Sequence, residues 1–141
     1  MDIDYTKFER YTRDVSRIVD KITLTTSRQI GFPQAFARKH MVHDFEGIIL
    51  YWEPISKSIA VEFTNDISQK GFTRIVKSEK YGAYAGISTF LSTHSLNPRN
   101  YQRRYDYQKI DPTLIGAPEG SSVFVFKLIE SIKEVQNEEM Q

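Results

Sequence analysis

Apolar positions along this chain change their period several times, and each change marks an element. In residues 4–20 the apolar side chains Phe8, Tyr11, Val15, Ile18 and Val19 recur at spacings of three and four, with Arg10, Arg13, Asp14 and Arg17 between them. That pattern predicts an amphipathic helix. Residues 21–26 alternate β-favouring side chains and predict a strand. The run Arg28-Gln29-Ile30-Gly31-Phe32-Pro33-Gln34-Ala35-Phe36-Ala37-Arg38-Lys39-His40 follows. Proline is at home in a first helical turn, where its missing N–H has no intrahelical partner, so Pro33 is expected to open a short helix ending near His40. Residues 47–52 (Gly-Ile-Ile-Leu-Tyr-Trp) read as a buried strand, and Glu53-Pro54-Ile55-Ser56-Lys57 as a turn. Residues 58–64 then return with Ile59, Val61 and Phe63 on one face and Ala60 and Glu62 on the other.

After a polar connector at 65–69, residues 72–77 predict one strand, with Phe72, Arg74 and Val76 on one face and Thr73, Ile75 and Lys77 on the other. Residues 81–87 hold two glycines and lead to a short helix over 88–94, for which Ser88 is a natural N-cap. Asn97-Pro98 breaks that helix. Residues 105–110 and 123–129 make a last pair of strands around a loop at 116–121. The tail from 131 is polar.

The two halves resemble each other. At an offset of 54 positions Phe36 falls on Phe90, His40 on His94 and Val42 on Leu96, while Gly31 and Gly86 agree to within one position. A duplicated unit of this size suggests two halves that complete one core. The expected fold is α+β: a single domain over 1–141 with an N-terminal helix (1–20), a first repeat (21–66), a second repeat (72–130) and a polar tail (131–141). The strand–helix–hairpin units would form a β-barrel-like or two-sheet core.

Composition narrows the chemistry. The absence of cysteine excludes disulfides, thiolate catalysis and cysteine-ligated metals. No signal peptide or membrane-spanning run is expected, which points to a cytoplasmic protein without membrane partners. The three histidines, His40, His43 and His94, do not spell a ligand set: His40 and His43 are three apart, but the proposed helix ends between them. Glu53 and Glu62 are candidates for facing each other across the first hairpin, as readily explained by exposed strand positions. No phosphate-binding loop, dinucleotide fingerprint or nucleophile elbow is present. No cofactor and no enzymatic activity is expected.

Charge is uneven beneath a net +1: residues 67–109 carry eight Lys or Arg against two acidic residues, and residues 110–141 two against six. Residues 98–109 interleave Arg99, Arg103, Arg104 and Lys109 with Tyr101, Tyr105 and Tyr107. Guanidinium groups bind phosphates bidentately and tyrosines stack on bases. The same tyrosines would equally serve to anchor a strand while long cationic side chains cover their edges. The candidate nucleic-acid contacts are Arg28, Arg74, Lys77, Lys80, Arg99, Arg103, Arg104, Tyr105 and Lys109.

Residues 28–63, with their arginine ahead of an apolar-Pro step, short helix and hairpin, resemble the AbrB/SpoVT/MazE-like cradle-loop-barrel family. The resemblance implies a small barrel of two such units, and DNA contact through basic residues near the arginine before the helix, here Arg28. The second half departs from the pattern, with Ile87-Ser88 in place of the apolar-Pro step. The chain as a whole resembles small bacterial proteins of phage or mobile-element type. The function expected is a non-enzymatic nucleic-acid-associated protein, such as a small DNA-binding regulator. The alternative is a protein-interaction module or a self-associating homodimer.

Overall fold

The computed structural model describes residues 3–8 and 19–130. The helix expected over 4–20 lies largely outside the described residues. Within them, residues Tyr5–Lys7 form a single 3-10 turn capped by the Asp4 carboxylate. Over residues 22–130 the described chain is two five-stranded antiparallel sheets with three short α-helices. In chain order the elements are β1 (Ile22–Leu24), β2 (Gln29–Pro33), α1 (Gln34–Lys39), β3 (Gly47–Glu53), β4 (Ser58–Thr64), β5 (Thr73–Arg74), β6 (Val76–Ser78) and β7 (Gly82–Gly86). They continue as α2 (Ser88–Thr93), α3 (Pro98–Tyr101), β8 (Arg103–Tyr105), β9 (Gln108–Ile110) and β10 (Ser122–Lys127). Sheet A has the order β6-β7-β2-β1-β8, and sheet B the order β5-β3-β4-β10-β9.

Of the two expected arrangements, the two-sheet one is observed. Neither sheet closes into a barrel. The chain instead passes from one sheet to the other at both sides. The segment expected as one strand over 72–77 is split: β5 belongs to sheet B and β6 to sheet A, with Ile75 buried at the bend, its N–H donating to the Glu46 carbonyl at 3.2 Å. The strand expected over 105–110 divides in the same way, β8 ending sheet A and β9 beginning in sheet B. Bends of this kind let strands turn the corner between packed sheets.

Two strands at the middle of sheet A lie where the sequence pattern shows only approaches to helices. They are β2 and β7, which pair along their length from Gln29↔Gly86 to Pro33↔Gly82. Two further expectations are corrected. Ser88 is the first helical residue of α2 rather than its cap; Ile87 holds the cap position and offers no side-chain hydrogen bond. Asn97-Pro98 does end α2, but it also starts α3, with the Asn97 side chain accepting from the Arg99 N–H and Pro98 in the first turn.

The core lies between the sheets. Ile22, Leu24, Ile30, Phe32, Ala83 and Ala85 of sheet A face Ile48, Ile59, Val61, Phe63, Phe124 and Phe126 of sheet B. Helix α1 drops Phe36 into the centre, where its ring meets those of Phe32 (5.5 Å), Phe124 (5.1 Å) and Tyr107 (4.8 Å). A smaller cluster of Ala60, Ala117 and Val123 lies on the outer face of sheet B. It flanks Glu62, which is only 1% exposed and accepts a 2.6 Å hydrogen bond from the Tyr51 hydroxyl. Burial first, and then this carboxylate, push the Tyr51 phenol up to about 12. Among the described residues no helix is long and apolar enough to cross a membrane.

Candidate nucleic-acid interface

Register fixes which side chains share the outer face of sheet A. One transverse row runs Val76, Tyr84, Gly31, Thr23, Arg104, because each is the direct partner of the next across β6, β7, β2, β1 and β8. Directly paired residues point to the same side of a sheet. Gly82 and Gly86 alternate with Tyr84 along β7 on this side, so the face is low around the tyrosine. Tyr84 is 39% exposed and Val76 49% exposed. At the β6–β7 turn Tyr81 is 72% exposed, with the Lys80 ammonium 5.4 Å from its ring centre.

Lys80, Tyr81, Gln34, Pro33, Thr23 and Arg104 surround a hollow of about 150 Å³ on this face. The turn is tied down by Gln34, whose amide donates to the Glu79 carbonyl at 2.6 Å, and by the Tyr81 N–H bonding to Ser78 Oγ. Two cations and two exposed tyrosines therefore border one glycine-bearing face of sheet A.

The structure divides the remaining candidates. Arg28 occupies the β1–β2 turn at the end of sheet A where Gln29 pairs with Gly86. Its backbone is left-handed (φ 61°), and its carbonyl accepts from the Ile87 N–H at 2.9 Å. Arg103, on edge strand β8, pairs with Leu24 and lies 5.9 Å from the Tyr105 ring. Lys77 sits on the opposite edge strand β6, in the core-side row with Ala83. Edge strands four spacings apart are about 19 Å apart. Arg74 and Lys109 belong to sheet B: Arg74 pairs with Glu46 at 2.9 Å, and Lys109 lies 6.0 Å from the Phe124 ring. Arg99 is exposed on α3. Tyr105 is withdrawn from any surface role. It is 1% exposed, and its hydroxyl donates to the Tyr101 carbonyl at 2.6 Å. An aromatic ring so placed fastens β8 to the core and offers no face to a base. The basic segment therefore does not act as one patch; its two sides alternate between sheet, core and edge.

Sequence pattern alone does not single out Tyr81, Tyr84 and Gln34. The available signal is Gly-Ala-Tyr-Ala-Gly, a short alternation whose glycines hide a strand. The carboxylate pair considered across the first hairpin is not formed: Glu53 pairs with Ser58 and Glu62 with Ile49. Glu53 instead accepts from the N–H groups of Ile55 and Ser56, hydrogen bonds that hold its carboxyl below the usual range.

A second polar network lies at the end of α1. Tyr107 donates to Asp20 Oδ1 at 2.5 Å, and its oxygen therefore accepts from His40 Nε2 at 2.7 Å. Lys39 donates to the other oxygen of Asp20 at 2.9 Å. Partial burial works against ionisation of Asp20, but the hydrogen bonds from Tyr107 and Lys39 outweigh it and hold its carboxyl below the usual range. Burial pushes the His40 imidazole below its ordinary value; Asp20 pulls the other way, and the ammonium groups of Lys39 and Lys109 add to the burial effect. His43 contacts the Ser78 carbonyl instead, so the two histidines do not converge, and no cluster of metal-ligating side chains occurs among the described residues.

This network predicts a pH dependence. Below its ordinary value of 6.5 the unfolded His40 binds protons that the folded one refuses, so the unfolded state gains protons first. Stability is therefore complete above about pH 6.5 and falls as acidification proceeds toward the depressed folded value. Urea midpoints measured between about pH 5 and 8 should rise with pH, with a shallower slope in His40→Gln. A midpoint that falls with rising pH in this window would contradict the assignment.

No family model, no curated protein and no solved structure matches this chain.

Proposed function

We propose that the protein binds nucleic acid, single-stranded in preference to duplex, on the outer face of sheet A. The observation that carries this reading is the exposed Tyr84 and Tyr81 on the same side of the sheet as Lys80 and Arg104. An open sheet face with exposed rings stacks unpaired bases, and cations at its border take the phosphates. Bases in a duplex already stack on each other and present no face to such a ring. Small residues at 31, 82 and 86 support the same reading, since any larger side chain there would stand between Tyr84 and a base. The resemblance of residues 28–63 to the AbrB-like family supports a further basic contact from Arg28 of this same sheet. The role is non-enzymatic, and regulation of a nucleic acid is the form it takes.

The test is fluorescence anisotropy with labelled single- and double-stranded oligonucleotides at two salt concentrations. Single strands should bind more tightly, and binding should weaken with salt. Lys80→Ala/Arg104→Ala should flatten the salt dependence by about 0.7 in log–log slope for each phosphate no longer neutralised. Tyr84→Ala should cost about 1–3 kcal/mol per stacked base. No binding at low salt by folded protein, or binding indifferent to all three substitutions, would sink this reading. Sedimentation at the same concentrations would then test self-association.

A further inference from the structure

Helices α1 and α2 end alike. Each has a phenylalanine packed on the histidine one turn later, Phe36 on His40 at 4.6 Å and Phe90 on His94 at 4.8 Å. Each histidine caps its helix, and the next residue, Met41 or Ser95, takes a left-handed conformation. The surroundings differ. At α1 the chain fills the space with its own rings. Tyr107 stands edge-on, 5.5 Å from His40 and 4.8 Å from Phe36, and Phe124 lies 4.5 Å from His40. The Tyr107 hydroxyl is hydrogen-bonded at its polar rim.

At α2 one ring, Trp52, packs on the pair, and the space beside it is open. A cleft of about 400 Å³ lies between this helix and strands β3 and β5, lined by Leu50, Phe72, Thr89, Phe90, Thr93 and His94 among others. Trp52 backs it, tilted 31° against His94 at 5.3 Å and edge-on to Phe90 at 6.3 Å. The Arg74 guanidinium, 5.7 Å from the Phe72 ring and paired with Glu46, steadies the opposite wall.

We propose that this cleft binds a planar, uncharged heteroaromatic ring of the nucleobase class. Its size is that of a small-ligand site, and its walls are aromatic, which favours a flat ring by stacking or edge contact. No Asp, Glu, Lys or Arg lines it, so a charged ligand would give up its hydration without compensation. The hydroxyls of Thr89 and Thr93, one turn apart on α2, and the His94 imidazole provide hydrogen-bonding groups for a ring with a polar rim. The α1 site provides the comparison: there Tyr107 and Phe124 both pack on the Phe–His pair, whereas among the described residues Trp52 alone packs on the pair at α2, which leaves room for one more ring.

Trp52 is the sole tryptophan and packs on Phe90 and His94, two residues that line the cleft, so its emission senses what they bind. Titration with adenosine at millimolar concentrations should change its emission saturably, and ribose 5-phosphate should not change it. Thr93→Phe places a ring of the protein's own in the cleft at an exposed helical position; it should abolish the response while circular dichroism stays that of the wild type. Phe90→Ala should weaken the response severalfold. The site stands apart from sheet A, so Lys80→Ala/Arg104→Ala should leave adenosine binding unchanged. The shared chemistry could come from a free nucleoside or from a base within a strand. Competition by a single-stranded oligonucleotide would identify the strand as the source, and its absence the free nucleoside; either supports the cleft. No saturable response to adenosine, or a response that survives Thr93→Phe, overturns the proposal.

Discussion

Phe36→Ala is expected to remove about 3–5 kcal/mol of stability, the range for deleting a fully buried phenylalanine. The ring is 0% exposed and is surrounded by Phe32, Phe63, Phe124, Tyr107 and His40. Those neighbours are themselves held by two sheets and a helix, so they cannot collapse into the space. A domain stable by only about 5–15 kcal/mol loses a large share of that reserve. Urea denaturation should show a much lower midpoint with an unchanged slope, since the surface exposed on unfolding stays the same. Phe90→Ala supplies the contrast: its ring is half-buried, so it should cost only about 1–2 kcal/mol, in proportion to the smaller area returned to water. A Phe36→Ala loss below about 1 kcal/mol would mean that the aromatic centre between the sheets is not tightly packed.

Gly82→Ala carries the second large effect. Gly82 has φ +105°, a conformation L side chains rarely adopt, and an added Cβ would meet the Phe32 carbonyl oxygen at 2.1 Å. The obstacle is backbone in the middle of sheet A, so no side-chain rotation relieves it. Strain of this kind costs about 1–3 kcal/mol before the steric clash is counted, and the total expected is about 3 kcal/mol or more. Gly86→Ala on the same strand meets nothing within 4 Å and should be neutral or stabilising by about 0.4–1 kcal/mol. Equal losses at both positions, measured by thermal unfolding, would exclude the β2–β7 pairing.

These two glycines also explain what is legible in the sequence. The hairpin of β3 and β4 is plain, because Ile48 to Trp52 and Ile59 to Phe63 carry the branched and aromatic side chains that a half-buried strand needs. Helices α1 and α2 are legible from Pro33, Phe36, Phe90 and their closing histidines. The centre of sheet A is not, because β2 and β7 read Gln-Ile-Gly-Phe-Pro and Gly-Ala-Tyr-Ala-Gly. Strand propensity penalises every glycine, yet close approach requires Gly82, and a Cβ on Gly31 would lie 2.3 Å from the Thr23 hydroxyl; Gly86 alone of the three has open space. Bends defeat periodicity elsewhere. Alternation continues through Ile75 and through Asp106-Tyr107, but the sheet on which it is read changes there. For the candidate site the sequence supplies the cations and hides their companions. Lys80 and Arg104 meet Tyr81 and Gln34 only through pairing of strands whose register is long-range, and Tyr105 looks like its neighbours until its hydroxyl finds the Tyr101 carbonyl.

The two bends have a mechanical meaning. Edge strand β6 of one sheet continues covalently from β5, the edge of the other, and β8 runs on into β9 at the far side. The sheets are thus laced at both margins like the covers of a book sewn along two opposite edges. Shear of one sheet over the other would stretch peptide backbone rather than merely slide side chains. The gap between them has a set width, and the rings of Phe36 and Phe63 are what that width admits.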